Sequence, residues 1–197
     1  MSESEKLADE STRLKLFITD SEKTMMLWPH RFRLEMDITV SDSLRIKLIS
    51  TNTDDKPFTC GEALHSYFNI SSIANIIIKG LEGCPYIDKA DRGHRKVQDG
   101  PVSVKGETDR IYLNIGEDCI IEDSVMRRRI HITKSGSSTT VVWNTWSDKA
   151  RALKDFGDEE FHGMVCVETA NAVDNVINLA EGKSHCLQSS IRVEELN

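Results

Sequence analysis

The stretch Arg31–Val40, RFRLEMDITV, alternates without a fault between polar and apolar residues. Phe32, Leu34, Met36, Ile38 and Val40 share one side; Arg31, Arg33, Glu35, Asp37 and Thr39 share the other. Successive side chains point to opposite faces of a strand but spiral around a helix. This order therefore predicts a half-buried strand with one wet face. Ser43–Thr51, SLRIKLIST, repeats the pattern through Leu44, Ile46 and Leu48. The Ser-Asp-Ser between them (Ser41 to Ser43) suits a hairpin connection, and TNTDDKPF then breaks the pattern with turn residues.

The same reading predicts strands at Ile73–Leu81, Pro101–Gly106, Arg110–Ile115, Arg129–Thr133, Thr139–Asn144, Gly163–Thr169 and Gln188–Leu196. GLEGCPYIDKADRGHRK reads as a charged loop, and KSGSS (Lys134 to Ser138) as a hairpin turn. One helix is predicted, at Ser147–Phe156, with Ser147 as its N-cap. Many strands, many turns and almost no helix define an all-β chain, an antiparallel sandwich or barrel. No repeat period suggests a propeller. Residues 1–13 are polar and charged and read as a disordered tail, which leaves residues 14–197 as a single domain.

Composition narrows the function. The formal net charge of −7 argues against phosphate-driven nucleic-acid binding, and the basic run Arg127 to Arg129 reads as a solvated strand face. No apolar run is long enough to span a bilayer, and the first residues lack the apolar stretch of a secretory signal. Five cysteines, an odd number with no C-x-x-C, fit buried thiols in a reducing compartment, and hence a cytoplasmic protein. The six histidines are scattered without metal-ligand spacing, which argues against a zinc site.

Three polar residues in strand-like settings draw notice. His65 lies in EALHSYF beside aromatics, where a packed core histidine is the ordinary reading. The mix of polar and aromatic neighbours also suits a ligand-facing wall, and imidazole can act as an acid near neutral pH. Glu168 ends GMVCVET, where Met164, Cys166 and Glu168 share one face and Val165 and Val167 the other. Such a carboxylate is either exposed at a strand tip or held in a pocket, where it needs partners or a function. Asp109 in GETDRIYLN opens a strand, and turn chemistry alone explains it. Trp143 and Trp146 in VVWNTW either cap a core or offer a sugar a flat wall.

Four separated stretches stand in one order: FTCGEALHSYFNI, GLEGCPYIDK, GETDRIYLN and VVWNTWSDKARALKDFGDEEFHGMVCVETAN. The series resembles the glucose-6-phosphate 1-epimerase (hexose-6-phosphate mutarotase) branch of the aldose 1-epimerase superfamily, from about Trp28 to the C-terminus. The resemblance implies a β-sandwich of the galactose-mutarotase type. It implies interconversion of the α and β anomers of a hexose 6-phosphate, glucose 6-phosphate first, with no metal or organic cofactor. Carried over by motif, His65 is the general acid, Glu168 the general base and Asp109 a sugar-hydroxyl ligand.

Two departures qualify the likeness. Family members carry further strands, a GGIP loop, an HGFAR-like stretch and phosphate-gripping arginines ahead of the matched portion, and none of these precedes Trp28 here. The expectation is a sandwich incomplete on its N-terminal side, with an exposed sheet edge open to self-association. Arg92, His94 and Arg95 offer substitute positive charge, although a solvated loop explains them as well. Thr145 stands where the family has proline in WNPW. The alternative to an enzyme is a non-catalytic or weakened carbohydrate-binding remnant of the fold.

Overall fold

The computed structural model describes residues 2–116 and 118–196. In chain order its strands are β1 (Ser2–Lys6), β2 (Thr12–Thr19), β3 (Phe32–Val40), β4 (Ser43–Asn52), β5 (Phe58–Cys60) and β6 (Glu62–Leu64). Then come β7 (Tyr67–Asn69), β8 (Ile76–Lys79), β9 (Pro85–Asp88), β10 (His94–Val97), β11 (Thr108–Leu113) and β12 (Cys119–Asp123). The series closes with β13 (Arg128–Ser135), β14 (Thr139–Asn144), β15 (Met164–Asn171), β16 (Ile177–Leu179) and β17 (Ser184–Glu195). Helix α1 (Glu22–Leu27) precedes β3, and helix α2 (Trp146–Ala152) follows β14.

Two large antiparallel sheets result. The first runs β1-β2-β3-β4-β17-β13-β12-β8; the second runs β10-β9-β11-β14-β15-β6, with β7 also on β15. Strands β16 and β5 form a small ribbon apart. The expected all-β sandwich is therefore present. Its main core lies between the second sheet and one end of the first: Ile78, Ile121, Ile130 and Ile132 meet Tyr112, Val142, Val165 and Val167. A smaller cluster of Leu48, Leu64 and Leu187 extends it toward β4.

The register explains why the alternating stretches pair. Leu14, Ile38 and Ile46 stand in one cross-strand row, and Leu16, Met36, Leu48 and Leu187 in the next. One apolar face thus runs unbroken from β2 to β17. It is deeply covered only at one end: Leu187 is 0% exposed, whereas Ile18 is 55% and Val40 50% exposed. No residue of β3 is fully buried, despite its regular alternation. A cavity of about 620 Å³, lined in part by Trp28, Phe32, Leu34, Leu48 and Phe58, opens on this face.

Several expectations need correction. Residues read as a disordered tail form β1, paired to β2 from Ser2↔Leu16 to Lys6↔Thr12. SESEK has no apolar periodicity to signal a strand; backbone hydrogen bonds to the neighbour suffice. The charged loop after Gly80 contains β9 and β10, a hairpin at the sheet edge with His94, Arg95 and Val97 exposed on its outer strand. Pro101–Gly106 contributes only a bridge, Val102 to Ile78. KSGSS is no hairpin, because β13 and β14 lie in different sheets. Gly136 lets the chain cross: its φ is +66°, and a Cβ there would collide with the carbonyl oxygen of Cys186. Helix α2 starts at Trp146, with Thr145 as N-cap and no capping side-chain bond, and Asn144 Oδ1 accepts from the Trp146 amide.

Candidate functional site

The site grows from β15, whose eight residues are all buried. Strand β6 pairs with one end of it (Leu64↔Thr169) and β7 with the other (Tyr67↔Cys166). The register is the same on both sides of the gap. The two residues without ladder bonds, His65 and Ser66, therefore pass opposite Glu168 and Val167. Cross-strand neighbours share a face, so His65 and Glu168 project together. Across the sheet, Tyr67, Cys166, Trp143 and Asp109 form the adjacent row. Both rows lie on the face opposite Val142, Val165 and Val167, away from the main core.

The three residues singled out by sequence thus converge on one outer face. His65 Nε2 stands 3.2 Å from Glu168 Oε1, with the imidazole half-exposed and the carboxylate 8% exposed. The His65 ring stacks on Tyr67, centroids 4.9 Å apart at 22°, and meets Trp143 edge-on at 5.7 Å. Burial pushes Glu168 up to about 7, helped by the negative charge of Asp109. A carboxyl poised near neutrality can both take and return a proton. Asp109 is 17% exposed, and Lys149 Nζ on α2 lies 3.8 Å from it and 3.1 Å from Glu107.

Of the paired tryptophans, only Trp143 belongs to the site; Trp146 packs on Phe161 and the main core. Arg92, His94 and Arg95 sit at the β9–β10 hairpin, where Arg95 is engaged by Asp174 at 2.7 Å. Sequence reasoning missed Tyr67 and Lys149 as site members. It saw that Cys166 shares a face with Glu168 but gave the thiol no role. The donor atoms of His65, Cys166 and Glu168 lie within 4.8 Å of one another. Spacing along the chain could not reveal this set, because two strands far apart in sequence supply it. The five cysteines form no disulfide among the described residues. Among those residues no helix is long and apolar enough to cross a membrane.

The antiparallel sandwich thus carries a histidine–glutamate pair and an aspartate on one open face, an arrangement capable of acid/base chemistry. The family profile described as aldose 1-epimerase matches residues 1–192, and the chain belongs to that family. A Cenchrus ciliaris protein named "Putative glucose-6-phosphate 1-epimerase" is 35% identical over 173 residues, which are 85% of this chain and 52% of the relative. An Escherichia coli K12 protein of the same name is 34% identical over 177 residues, 89% of this chain and 58% of the relative. The crystal structure of a Salmonella typhimurium protein described as a putative mutarotase (YeaD) superposes with a TM-score of 0.88 at 30% identity. It matches 99% of this chain and 63% of that one. The chain spans little more than half the length of the curated relatives it matches.

Proposed function

We propose that this chain interconverts the α and β anomers of a hexose 6-phosphate by opening and closing the sugar ring. The observation that carries the reading is the pairing of His65 Nε2 and Glu168 Oε1 at 3.2 Å on an open face, with Asp109 in the neighbouring row. Ring opening needs a base at the anomeric hydroxyl and an acid at the ring oxygen. Glu168 accepts the proton from O1 as His65 donates one to O5, and the C1–O5 bond breaks to leave an aldehyde. Rotation about C1–C2 presents the other carbonyl face. Closure runs the same transfers backwards, so both groups return to their starting states. Asp109 accepts from a sugar hydroxyl and fixes the ring over the pair. The names of the relatives support glucose 6-phosphate as the substrate, and Lys149 is a cation at the rim of the site.

The test follows anomerisation of freshly dissolved α-glucose 6-phosphate by NMR. His65→Asn and Glu168→Gln should each slow the native rate by about 10²–10⁴-fold. A native protein no faster than either variant would sink the reading.

The second reading is a sugar-binding chain without turnover. It is favoured by the partly uncovered sheet face and by the share of the relatives that this chain spans. Sugar-phosphate affinity that falls on Asp109→Ala, with no catalysed anomerisation, would select it. Affinity unchanged by Asp109→Ala would remove the sugar site from both readings.

A further inference from the structure

The acid/base reading gives no work to Cys166. Yet its thiol sits in the row beside His65 and Glu168, fully buried, with its sulfur among their donor atoms. One imidazole nitrogen, one thiol sulfur and one carboxylate oxygen lie within 4.8 Å of one another. These are three different ligand types, each suited to a borderline-soft divalent ion. We propose that His65, Cys166 and Glu168 form a binding site for such a cation, Zn²⁺ foremost, and that the cation and the sugar exclude each other.

The geometry is close to what zinc requires. Bonds of about 2.0–2.3 Å to N, O and S place the donors of a tetrahedral ion roughly 3.3–3.6 Å apart. The His65–Glu168 pair is at 3.2 Å, and no donor pair exceeds 4.8 Å. The sulfur therefore has at most roughly 1.2 Å to close. Cys166 and Glu168 come from one interior strand, so two ligands are set by β15 itself. His65 is the half-exposed member and leaves an approach from solvent. The fourth position faces the same open side and suits water. Charge favours the ion as well: Glu168, a thiolate formed on binding and the nearby Asp109 all attract a dication, and the thiol proton leaves to solvent. A bound ion would occupy the nitrogen and oxygen that the sugar needs, so it acts as an inhibitor. That exclusion rests on the proposed anomerase reading; the metal site itself does not.

Cobalt(II) is the probe, added to the full chain after dialysis against a chelator. The expected result is a thiolate-to-cobalt charge-transfer band that saturates at one equivalent and is removed by Zn²⁺. Cys166→Ser should abolish the band. His65→Asn should keep it while weakening cobalt binding at least about tenfold, the lower end of what loss of a supporting group costs. Absence of the band in the native protein, or its survival in Cys166→Ser, overturns the proposal. If Cys166→Ser does not fold, unchanged cobalt affinity in both His65→Asn and Glu168→Gln overturns it instead. Excess glucose 6-phosphate, corrected for its own affinity for cobalt, should weaken binding; no effect overturns the exclusion. The two readings fail separately. Chelator-insensitive anomerisation without a band removes only the metal site, whereas a band without anomerisation removes only the enzyme.

Discussion

The two ends of the large sheet carry the same apolar face under different cover. At one end, β17, β13, β12 and β8 lie against the second sheet, and Leu187, Ile121 and Ile78 are 0% exposed. At the other, β2 and β3 present Leu16, Ile18 and Val40 exposed, with Leu34 and Met36 half-buried against the Leu48–Leu64–Leu187 cluster, and neither strand holds a fully buried residue. Alternation in sequence is clean in β3 at the open end, whereas β8 (IIIK) and β12 (CIIED) at the covered end hold consecutive apolar residues. Clean alternation therefore reports that a face is apolar, and not what covers it. The candidate site lies on the far side of the second sheet, so it depends on the covered end for its rigidity.

The largest expected effect tests that division directly. Leu187→Ala removes a side chain from the closed end and should lower stability by about 2–5 kcal/mol in urea unfolding. An effect as small as that of a surface change would show that the second sheet does not seal this end.

The next effect is electrostatic. Asp123 ends β12 within the covered region and is 0% exposed. Its carboxylate accepts from the Ser71 amide at 2.7 Å, the Ser71 hydroxyl at 2.6 Å and the Met126 amide at 3.0 Å. Burial opposes its ionisation, but these bonds outweigh it and hold the carboxyl below its ordinary range. Asp123→Asn keeps the shape and loses acceptors, at a cost of about 1–3 kcal/mol. A depressed carboxyl stabilises the fold fully above its unfolded value of about 3.9, and that contribution is lost as pH falls through the lower folded value. Stability of the native protein should therefore fall more steeply with acid than that of Asp123→Asn, as read from denaturation midpoints across that window. Parallel acid limbs would remove Asp123 as the source.

How much of this was legible follows from the same division. Strands β3, β4, β14, β15 and β17 announce themselves because each pairs a patterned face with a core or a regular neighbour. Strands β1 and β10 lie at sheet edges and leave little trace, because backbone pairing needs no particular side chains, and β9, one strand further in, is masked by the charged residues around it. Gly136 reads as a hairpin turn but carries the chain between sheets, and local turn chemistry is the same in both cases. His65, Asp109 and Glu168 were legible through their ordered motifs. Tyr67 and the convergence of Cys166 on His65 required the register across β6, β7 and β15, which only the folded chain supplies.

A smaller effect of opposite sign is expected beside the site. Thr145 is 0% exposed, and its hydroxyl has no hydrogen-bond partner among the described residues. Its φ of −62° and ψ of −31° suit proline, and Asn144 before it lies at the end of a strand, as a residue preceding proline prefers. Thr145→Pro should therefore stabilise by about 0.4–1 kcal/mol through the unfolded chain, with removal of the orphan hydroxyl acting in the same direction. Loss of stability would mean that the Thr145 amide makes a bond that proline cannot replace.

The smallest effect on stability belongs to the open end, and it sharpens the comparison most. Ile18 is 55% exposed, so Ile18→Lys buries no charge and removes little packing. Unfolding should change by no more than about 0.5 kcal/mol. Association should change far more. The apolar face of β2 and β3 is continuous, it adjoins the edge strand β1, and an uncovered face of this kind is an association surface. In sedimentation the native 197-residue chain is expected to gain mass as its concentration rises, and Ile18→Lys to oppose that gain. A native chain monomeric at every concentration would show that this face is not self-pairing. A variant that still associates would place the contact elsewhere on the molecule.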